Sequence, residues 1–493
     1  ANGSCSLREA IVNANDNAQT HADCPAGDAG PAVDVINLPA GTYNLTLAGV
    51  DERCDGAVPC TIDGTTGAYV PVATSDASMG DLDITDDLTI TGAGSDVTRI
   101  EWTPTSPGVP LVGDDDPLTG DRIFHVAVPA VGATADIASV VIQGLTVANG
   151  EVAVKPTKAA DVCVPDDPNL PLPTNTTTFD PSKLNAYDIE VIDSTCGSVD
   201  QEGKIVDDGT TSIIIAQFRR MGGAIALGGG YATVTYDSTK EGLPPDVISG
   251  GEGSSFGVEN VSLEDVVVIN NWSGGDGGGI HSIVPATISR SKISGNTCAG
   301  GNGGGLYNEG DTVISDTLIG KEFDAATPGL GNRNYGENGG GIFFTGSPQT
   351  TTTILRSAIN GNEAIGGAGI AGRVARFDII NTTISNNTAK DVGAGIHTAG
   401  PVYLQNVTVA DNVATTTAPI GGAGLSSFSN GQYFYSNTLL SNNMIASAEG
   451  GTPRLANCGC AGGGGCAVGD LNSQGYNLED GDTCELDQLG DQK

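Results

Sequence analysis

Two groups of aspartates have the spacing that most directly suggests chemistry in this sequence. Within GDLDITDD, Asp81 and Asp83 alternate and Asp86 lies just beyond, while a second run precedes a proline and consists of Asp114, Asp115 and Asp116. Alternate residues of a strand lie on one face, and clustered carboxylate oxygens are the ligands that Ca²⁺ prefers. Each group is therefore a candidate Ca²⁺ site. The alternative for both is a set of solvated loop acids.

A second constellation could act as an acid–base site on a polysaccharide. Arg290 and Lys292 alternate in ISRSKIS, one repeat away from Asp276 and His281. Polysaccharide hydrolases need two or three carboxylates that face one groove, so these four residues are the catalytic candidates. However, His281 and His397 each follow the aliphatic residue of a GGGI or GAGI phrase. A shared repeat position favours a structural surface role over catalysis.

The elements that must position these residues form a repeat between residues 260 and 445. Asn271, Asn296, Asn362, Asn387 and Asn412 occupy one slot, and the steps 271 to 296, 362 to 387 and 387 to 412 are all 25 residues. Asparagine tolerates a left-handed turn, and stacked amides can hydrogen-bond along a cross-β ladder. Lys321 occupies the missing slot, so we expect the ladder to break there, beside an insertion.

Each repeat contains short apolar runs that are too short to bury a face alone. Stacked coils pair every run in parallel with its equivalents, and helical stripes are scarce. The sequence therefore predicts an all-β fold, a right-handed parallel β-helix. Its interior should be filled by the aliphatic residues that end the glycine phrases: Ile280, Leu306, Ile342, Ile370, Ile396 and Leu425.

The ends and insertions divide the chain into three parts. Residues 1–32 should form an N-terminal cap: in SLREAIVNAN the apolar positions share a helical face, and Ser6 and Glu9 have capping-box spacing. Residues 33–447 form the β-helix, and residues 448–493 form a disulfide-rich C-terminal segment. Loop insertions, two of them closed by disulfides, are predicted near 49–78, 152–205, 228–256 and 322–338.

Composition narrows the possible partners and the compartment. The net charge of −38 argues against nucleic acid as a partner. No apolar run approaches about 20 residues, which argues against insertion into a membrane. Eleven cysteines fit disulfides, Cys5–Cys24 among them, better than zinc. The pattern indicates ten paired cysteines, with Cys298 as a buried free thiol, in an oxidising compartment. We therefore expect a secreted or cell-surface protein.

Four segments carry a family resemblance. The opening Cys5-Ser6-Leu7-Arg8-Glu9-Ala10 resembles the CSLREA domain of secreted and surface proteins, and the similarity continues in GDLDITDDLTITGAG at 80–94, DRIFHV at 121–126 and SQGYNLEDGDTC at 473–484. The glycine and asparagine phrases are also similar to those of polymorphic outer-membrane proteins. The resemblance implies export and a β-helix, and it implies no single activity.

Together these features predict a non-enzymatic extracellular protein. It would serve as a surface adhesin, a surface-layer component or a fibre subunit, stabilised by Ca²⁺ at the aspartate groups. Its expected partners are other copies of itself, in a filament, and a glycan or another surface ligand. The alternative is a secreted polysaccharide lyase or glycoside hydrolase that acts in a groove of the β-helix.

Overall fold

The computed structural model describes most of the repeated region and both ends of the chain. It covers residues 3–28, 32–46, 80–102, 122–126, 137–152, 224–227, 258–273, 275–299, 301–321, 331–334, 338–373, 376–415, 422–428, 431–446, 454–461, 471–484 and 486–493, together with six short strands. Those strands form three antiparallel pairs: Cys60–Ile62 with Tyr69–Pro71, Cys163–Pro165 with Thr177–Phe179, and Ile192–Ser194 with Ile213–Ile215. The run Asp114–Asp116, most of the four predicted loops and the pairing of the remaining cysteines lie outside the described residues.

Three long sheets run along the molecule. The ten-stranded sheet receives one strand from each coil, and its members are Leu82–Ile84, Phe124–Val126, Ile225–Leu227, Ile280–Ser282, Leu306–Asn308, Ile342–Phe344, Ile370–Gly372, Ile396–Thr398, Leu425–Phe428 and Cys458–Ala461. The nine-stranded sheet consists of Glu151–Val152, Trp272–Ser273, Thr297–Cys298, Arg333–Asn334, Glu363–Ala364, Thr388–Ala389, Val413–Ala414, Met444–Ile445 and Arg454–Leu455.

The twenty-stranded sheet usually receives two consecutive strands from a coil. Its members are Asp34–Leu38, Gly41–Leu45, Leu88–Gly92, Thr98–Trp102, Val140–Ala148, Val261–Ile269, Ala286–Ser289, Lys292–Ser294, Thr312–Ser315, Leu318–Gly320, Thr351–Leu355, Ala358–Asn360, Arg376–Ile380, Thr383–Ser385, Pro401–Gln405, Thr408–Ala410, Gln432–Ser436, Leu439–Ser441, Leu471–Ser473 and Leu478–Glu479. Every strand pair within the three long sheets is parallel except Met444–Ile445 with Arg454–Leu455.

Parallel pairing between successive coils confirms the predicted right-handed parallel β-helix. Ile280 pairs with Leu306, and the register continues through the predicted aliphatic stack to Leu425. These side chains are fully or almost fully buried in one continuous core. The C-terminal residues contribute strands to all three sheets, so they form the last coil of the solenoid.

A buried ladder of asparagines runs along the coils, as the spacing predicts. Each side-chain amide donates to the side-chain oxygen of the next asparagine at 2.8–3.0 Å, through the series Asn271, Asn296, Asn332, Asn362, Asn387, Asn412, Asn443 and Asn457. The predicted break at Lys321 is wrong. The chain re-enters the coil at residue 331, so that Asn332 fills the slot.

The left-handed residues are not the ladder asparagines themselves. They are the residues immediately before them, such as Asn270, Asn386 and Asp411, whose φ angles are 58°, 55° and 57°. The ladder asparagine therefore points inward without a positive φ angle, while the exposed residue before it adopts the left-handed conformation of the turn. The prediction of stacked amides is thus confirmed, whereas the prediction of left-handed ladder residues is wrong.

The N-terminal cap is confirmed. A single helix in the described residues, Leu7–Asn15, buries Leu7, Ile11 and Ala14, and Ser6 and Glu9 form a complete capping box. The Cys5–Cys24 disulfide joins the start of the helix to the segment that follows it. The helix packs against the strands Leu82–Ile84 and Asp34–Leu38, so it covers part of the first coil, whose edge would otherwise be open.

Candidate functional site

A cluster of charged side chains lies at the N-terminal end of the ten-stranded sheet. Asp81 and Asp83 are completely buried, and a ring nitrogen of His125, Nδ1, lies 3.1 Å from Oδ1 of Asp83. The guanidinium of Arg122 forms a buried ion pair with Oδ2 of Asp81. Ligand atoms of Asp81, Asp83 and His125 all lie within 4.8 Å of one another, and no second group of this kind occurs in the described part of the chain.

Strand register explains this proximity. The strand Leu82–Ile84 pairs in parallel with Phe124–Val126, so Asp83 is directly beside His125. Leu82 and Phe124 point into the core, and alternation along the strand places Asp83 and His125 on the opposite face. The sequence interpretation identified the two aspartates but missed Arg122 and His125. The signal was present in the sequence, because in both Phe-His-Val and Leu-Asp-Ile a polar residue stands between two apolar ones.

The cap helix holds the backbone that carries both aspartates. Arg8 donates to the carbonyl oxygens of Gly80 at 2.7 Å and Asp81 at 2.8 Å, and Asn15 donates to the carbonyl oxygen of Asp83 at 2.9 Å. Three of the four segments on which the expected family resemblance rests therefore meet at this cluster. They are the opening hexapeptide, the segment from residue 80 and the segment that contains Arg122.

Removing the two hydrogen bonds of Arg8 should destabilise the N-terminal end of the β-helix. We expect Arg8→Ala to destabilise the first coil by about 2 kcal/mol, because a hydrogen bond to a charged group contributes about 1.5–3 kcal/mol. Hydrogen exchange over residues 80–84 should accelerate, while exchange over residues 383–389 should not change. Arg8→Lys, which keeps one charged donor, should recover part of the protection. Unchanged hydrogen exchange in Arg8→Ala would contradict a stabilising role of the Arg8 hydrogen bonds.

The fourth segment, 473–484, forms the opposite end of the ladder. The amide of Asn457 donates to Asp480 Oδ1 at 2.9 Å and to Glu479 Oε1 at 3.2 Å. Glu479 is buried and also accepts from the hydroxyl and backbone nitrogen of Thr483 and from the backbone nitrogen of Cys484. The amide donors all point toward this end, so the ladder terminates on carboxylates that complete its last bonds. The Cys458–Cys484 disulfide closes the same coil.

The C-terminal carboxylates make this end sensitive to acid. Partial burial alone would raise the pKa of Asp480, but hydrogen bonds from Asn457, Asn442 and Ser441 outweigh it and lower that pKa. The pKa of Asp491 is lowered in the same way: burial raises it, and bonds from Ser473 and the backbone outweigh the burial. A lowered folded-state pKa stabilises the fold above the unfolded pKa, and this stabilisation is lost as pH falls through the folded value.

Acidification below about pH 4 should therefore unfold residues 471–484 before it unfolds the central coils of the β-helix. Hydrogen exchange at stepwise lower pH would measure this. Asp34 at the other end is an internal control, because burial raises the pKa of its carboxyl and acid should not weaken its contribution. Asp480→Asn should reduce the acid response of the C-terminal coil. An unchanged acid response in Asp480→Asn would contradict the assignment.

The remaining predicted metal ligand has a separate structural role. Asp86 is half-buried and its Oδ1 accepts from the backbone nitrogen of Asp87 at 2.7 Å. Asp87 in turn accepts from the backbone nitrogens of Ala138 and Ser139 at 2.7 and 2.9 Å. The group of candidate ligand atoms therefore contains Asp81, Asp83 and His125 but not Asp86.

The four catalytic candidates lie on different parts of the coil. Asp276 and His281 are buried beside the ten-stranded sheet, and Asp276 accepts from the backbone nitrogen of Asn302 in the next coil. Arg290 makes a left-handed corner of the twenty-stranded sheet, with φ of 49°, and pairs there with Glu264. Lys292 follows in the strand Lys292–Ser294. The structure therefore does not bring the four side chains to one groove.

The shared repeat position of two histidines is confirmed, but the predicted surface location is wrong for His281. His281 is buried and stacks on Tyr307, with ring centroids 4.8 Å apart, and the stack continues to Phe343. His397 lies in the same column of the ten-stranded sheet, and burial lowers the pKa of its imidazole. Gly277 and Gly393, each four residues before its histidine, lie so close to the histidine Cβ that a side chain in their place would clash.

The outer face of the twenty-stranded sheet is the open polar surface of the described coils. A shallow depression of about 300 Å³ lies on it, lined largely by hydroxyl, amide and small apolar side chains, including those of Asn260, Thr287 and Thr353. Its one carboxylate, Asp311, already accepts from the backbone nitrogen of Thr351 at 2.8 Å. No pair of carboxylates faces this depression.

An aromatic stack lies further along the same face. Tyr403 and Phe434 pair across neighbouring strands with ring centroids 4.7 Å apart, and the Arg376 guanidinium lies 4.1 Å from the Tyr403 ring centre. The side chain of Arg376 is 46% exposed. This arrangement provides planar and hydrogen-bonding groups, and the carboxylate beside them, Asp378, is paired with Arg376 at 2.9 Å.

Comparisons with known proteins locate neighbours of low similarity. No family model matches the chain, and no curated protein matches it. The solved structures that match include two mannuronan C-5 epimerase modules of Azotobacter vinelandii. The AlgE6 A-module is 14% identical over 99% of this chain and 90% of that chain, with a TM-score of 0.36. The AlgE4 A-module is 12% identical over 90% of this chain and 92% of that chain, with a TM-score of 0.31. At these values the likeness carries no argument about activity.

The described residues contain no helix that is long and apolar enough to cross a membrane. They contain two disulfides and one buried free cysteine, Cys298. The free thiol donates to the carbonyl oxygen of Gly275 at 2.7 Å, which fits the predicted buried position.

Proposed function

We propose that this protein is a non-enzymatic extracellular β-helix that presents the outer face of its twenty-stranded sheet to a glycan or another hydroxyl-rich surface. The observation that supports this most directly is the depression on that face. Its lining offers hydroxyl and amide groups, and its one carboxylate is already hydrogen-bonded to the backbone. Such a surface can bind a polar polymer, but it lacks the paired carboxylates that glycoside hydrolysis requires.

Rigidity supports the same proposal. Strands shorter than six residues form most of the coils, yet the buried asparagine ladder and the aliphatic stack connect coil to coil. Solenoids of this kind present extended surfaces at fixed spacing. The charged cluster at Asp81 and Asp83 is buried, so it is not positioned to attack a polymer that lies on the outside.

The ligand surface can be tested by binding to an array of neutral and acidic glycans. We expect wild-type protein to bind a subset of them, and Tyr403→Ala with Phe434→Ala to weaken that binding at least tenfold. Val35→Ala, which changes an exposed apolar residue at the N-terminal coil, is the matched control and should bind normally. Binding that the aromatic variant leaves unchanged would contradict the proposed surface. If no glycan binds, the proposed glycan surface is wrong and a purely structural role remains.

A further inference from the structure

The cluster at the N-terminal end of the ten-stranded sheet contains a buried carboxylate oxygen without a donor. Asp83 is completely buried; its Oδ1 lies beside His125, while its Oδ2 has no hydrogen-bond partner. A buried acceptor left unsatisfied costs about 1–3 kcal/mol, and more when it is charged. A cation that contacts this oxygen would remove that cost.

The geometry of the cluster suits such a cation, because ligand atoms of Asp81, Asp83 and His125 lie within 4.8 Å of one another. The Arg122 guanidinium pairs with Oδ2 of Asp81, whereas Oδ2 of Asp83 has no hydrogen-bond partner. The Arg8 guanidinium donates to the backbone carbonyl oxygens of Gly80 and Asp81. A proton on His125 could balance the second carboxylate, but Nδ1 faces Oδ1 of Asp83 and its hydrogen bond would leave Oδ2 unsatisfied.

The donor set distinguishes between metals. Ca²⁺ takes six to eight oxygen ligands, whereas an imidazole nitrogen with two carboxylates is typical of Zn²⁺ and related transition metals. Three protein ligands leave a fourth position for water. Backbone contacts from Arg8 and Asn15 fix the strand that carries the two aspartates, as outer contacts do at metal sites.

We propose that Asp81, Asp83 and His125 form a binding site for one Zn²⁺ ion beneath the cap helix. This assignment replaces the expectation of Ca²⁺ at Asp81, Asp83 and Asp86, because His125 supplies a nitrogen donor and Asp86 has its own backbone contact. It is independent of the proposed glycan surface, which lies on a different sheet. Ion binding would add a link between the neighbouring strands Leu82–Ile84 and Phe124–Val126.

Titration of the full chain with Zn²⁺ alone, after removal of metal with a chelator and dialysis, tests the proposal. We expect one equivalent to bind by calorimetry and to raise the thermal midpoint, and excess Ca²⁺ to leave Zn²⁺ bound. His125→Ala and Asp83→Asn should each weaken binding at least tenfold. His397→Ala, a buried histidine of the same sheet, and His21→Ala, an exposed one near Glu9, should bind as the wild type does.

A second measurement does not depend on the folding of variants. X-ray absorption of the Zn²⁺-loaded wild type should show a first shell of nitrogen and oxygen with one imidazole. Absence of a bound equivalent would overturn the proposal, as would equal affinity in His125→Ala or loss of binding in His21→Ala. A first shell that contains sulfur or more than one imidazole would also overturn it.

Discussion

Replacing Asn387 with alanine should destabilise the central coils by about 3–5 kcal/mol. The side-chain oxygen of Asn387 accepts from the backbone and side-chain nitrogens of Asn362, both at 3.0 Å. Its amide donates to Ile359 at 3.1 Å and to Asn412 at 2.9 Å. Alanine would leave several of these buried groups unsatisfied, and each costs about 1–3 kcal/mol.

Denaturant unfolding followed by hydrogen exchange over residues 358–414 would measure this effect. Asn406→Gly is the matched control. Asn406 belongs to an exposed ladder at the other corner, with Asn381 and Asn437, and its φ is 55°. Glycine tolerates that angle, so we expect a loss of at most about 1 kcal/mol. Equal effects in the two variants would show that burial of the ladder contributes nothing.

The second large effect is expected at Arg122. Its side chain is 7% exposed and pairs with Asp81, which is completely buried. Breaking a buried ion pair by removing one partner typically costs about 3–5 kcal/mol, because the other charge stays buried without compensation. We expect Arg122→Ala, measured without metal, to lose that amount of stability by denaturant unfolding.

A double variant separates the pair from the packing around it. Asp81→Leu combined with Arg122→Met should recover much of the loss, since apolar residues of similar volume can replace a buried ion pair. Arg99→Ala is the control: Arg99 pairs with Glu101, but both side chains are partly exposed. It should cost at most about 1 kcal/mol. A loss in Arg122→Ala no larger than in Arg99→Ala would contradict the buried pair.

The repeated part of the fold could be predicted because identical slots recur at a fixed step. The 25-residue spacing of Asn362, Asn387 and Asn412 predicts both the coil and the ladder, and the structure confirms both. Asn332 could not be assigned this way, because an insertion interrupts the fixed step before it. The asparagine that follows Asn296 in the ladder, Asn332, is 36 residues away in the sequence.

The charged cluster and the C-terminal end could be predicted only in part. Asp81 and Asp83 stand out because two acids alternate in one strand, but His125 occurs once, in a different strand. Only the register of Leu82–Ile84 against Phe124–Val126 brings it to Asp83. Glu479 has no equivalent in earlier coils, since it terminates the ladder, and no repeat could identify it.

Turnover of polysaccharide is the measurement that most directly tests whether this β-helix binds rather than transforms its ligand. Purified full-length protein, with and without Zn²⁺ or Ca²⁺, would be incubated with neutral and uronic-acid polysaccharides. Reducing ends, unsaturated ends and sugar composition would then be followed by proton NMR. We predict no change in any of the three beyond the protein-free control. New ends or altered sugars that disappear in Asp83→Asn would contradict the non-enzymatic account and establish the buried cluster as a reaction site.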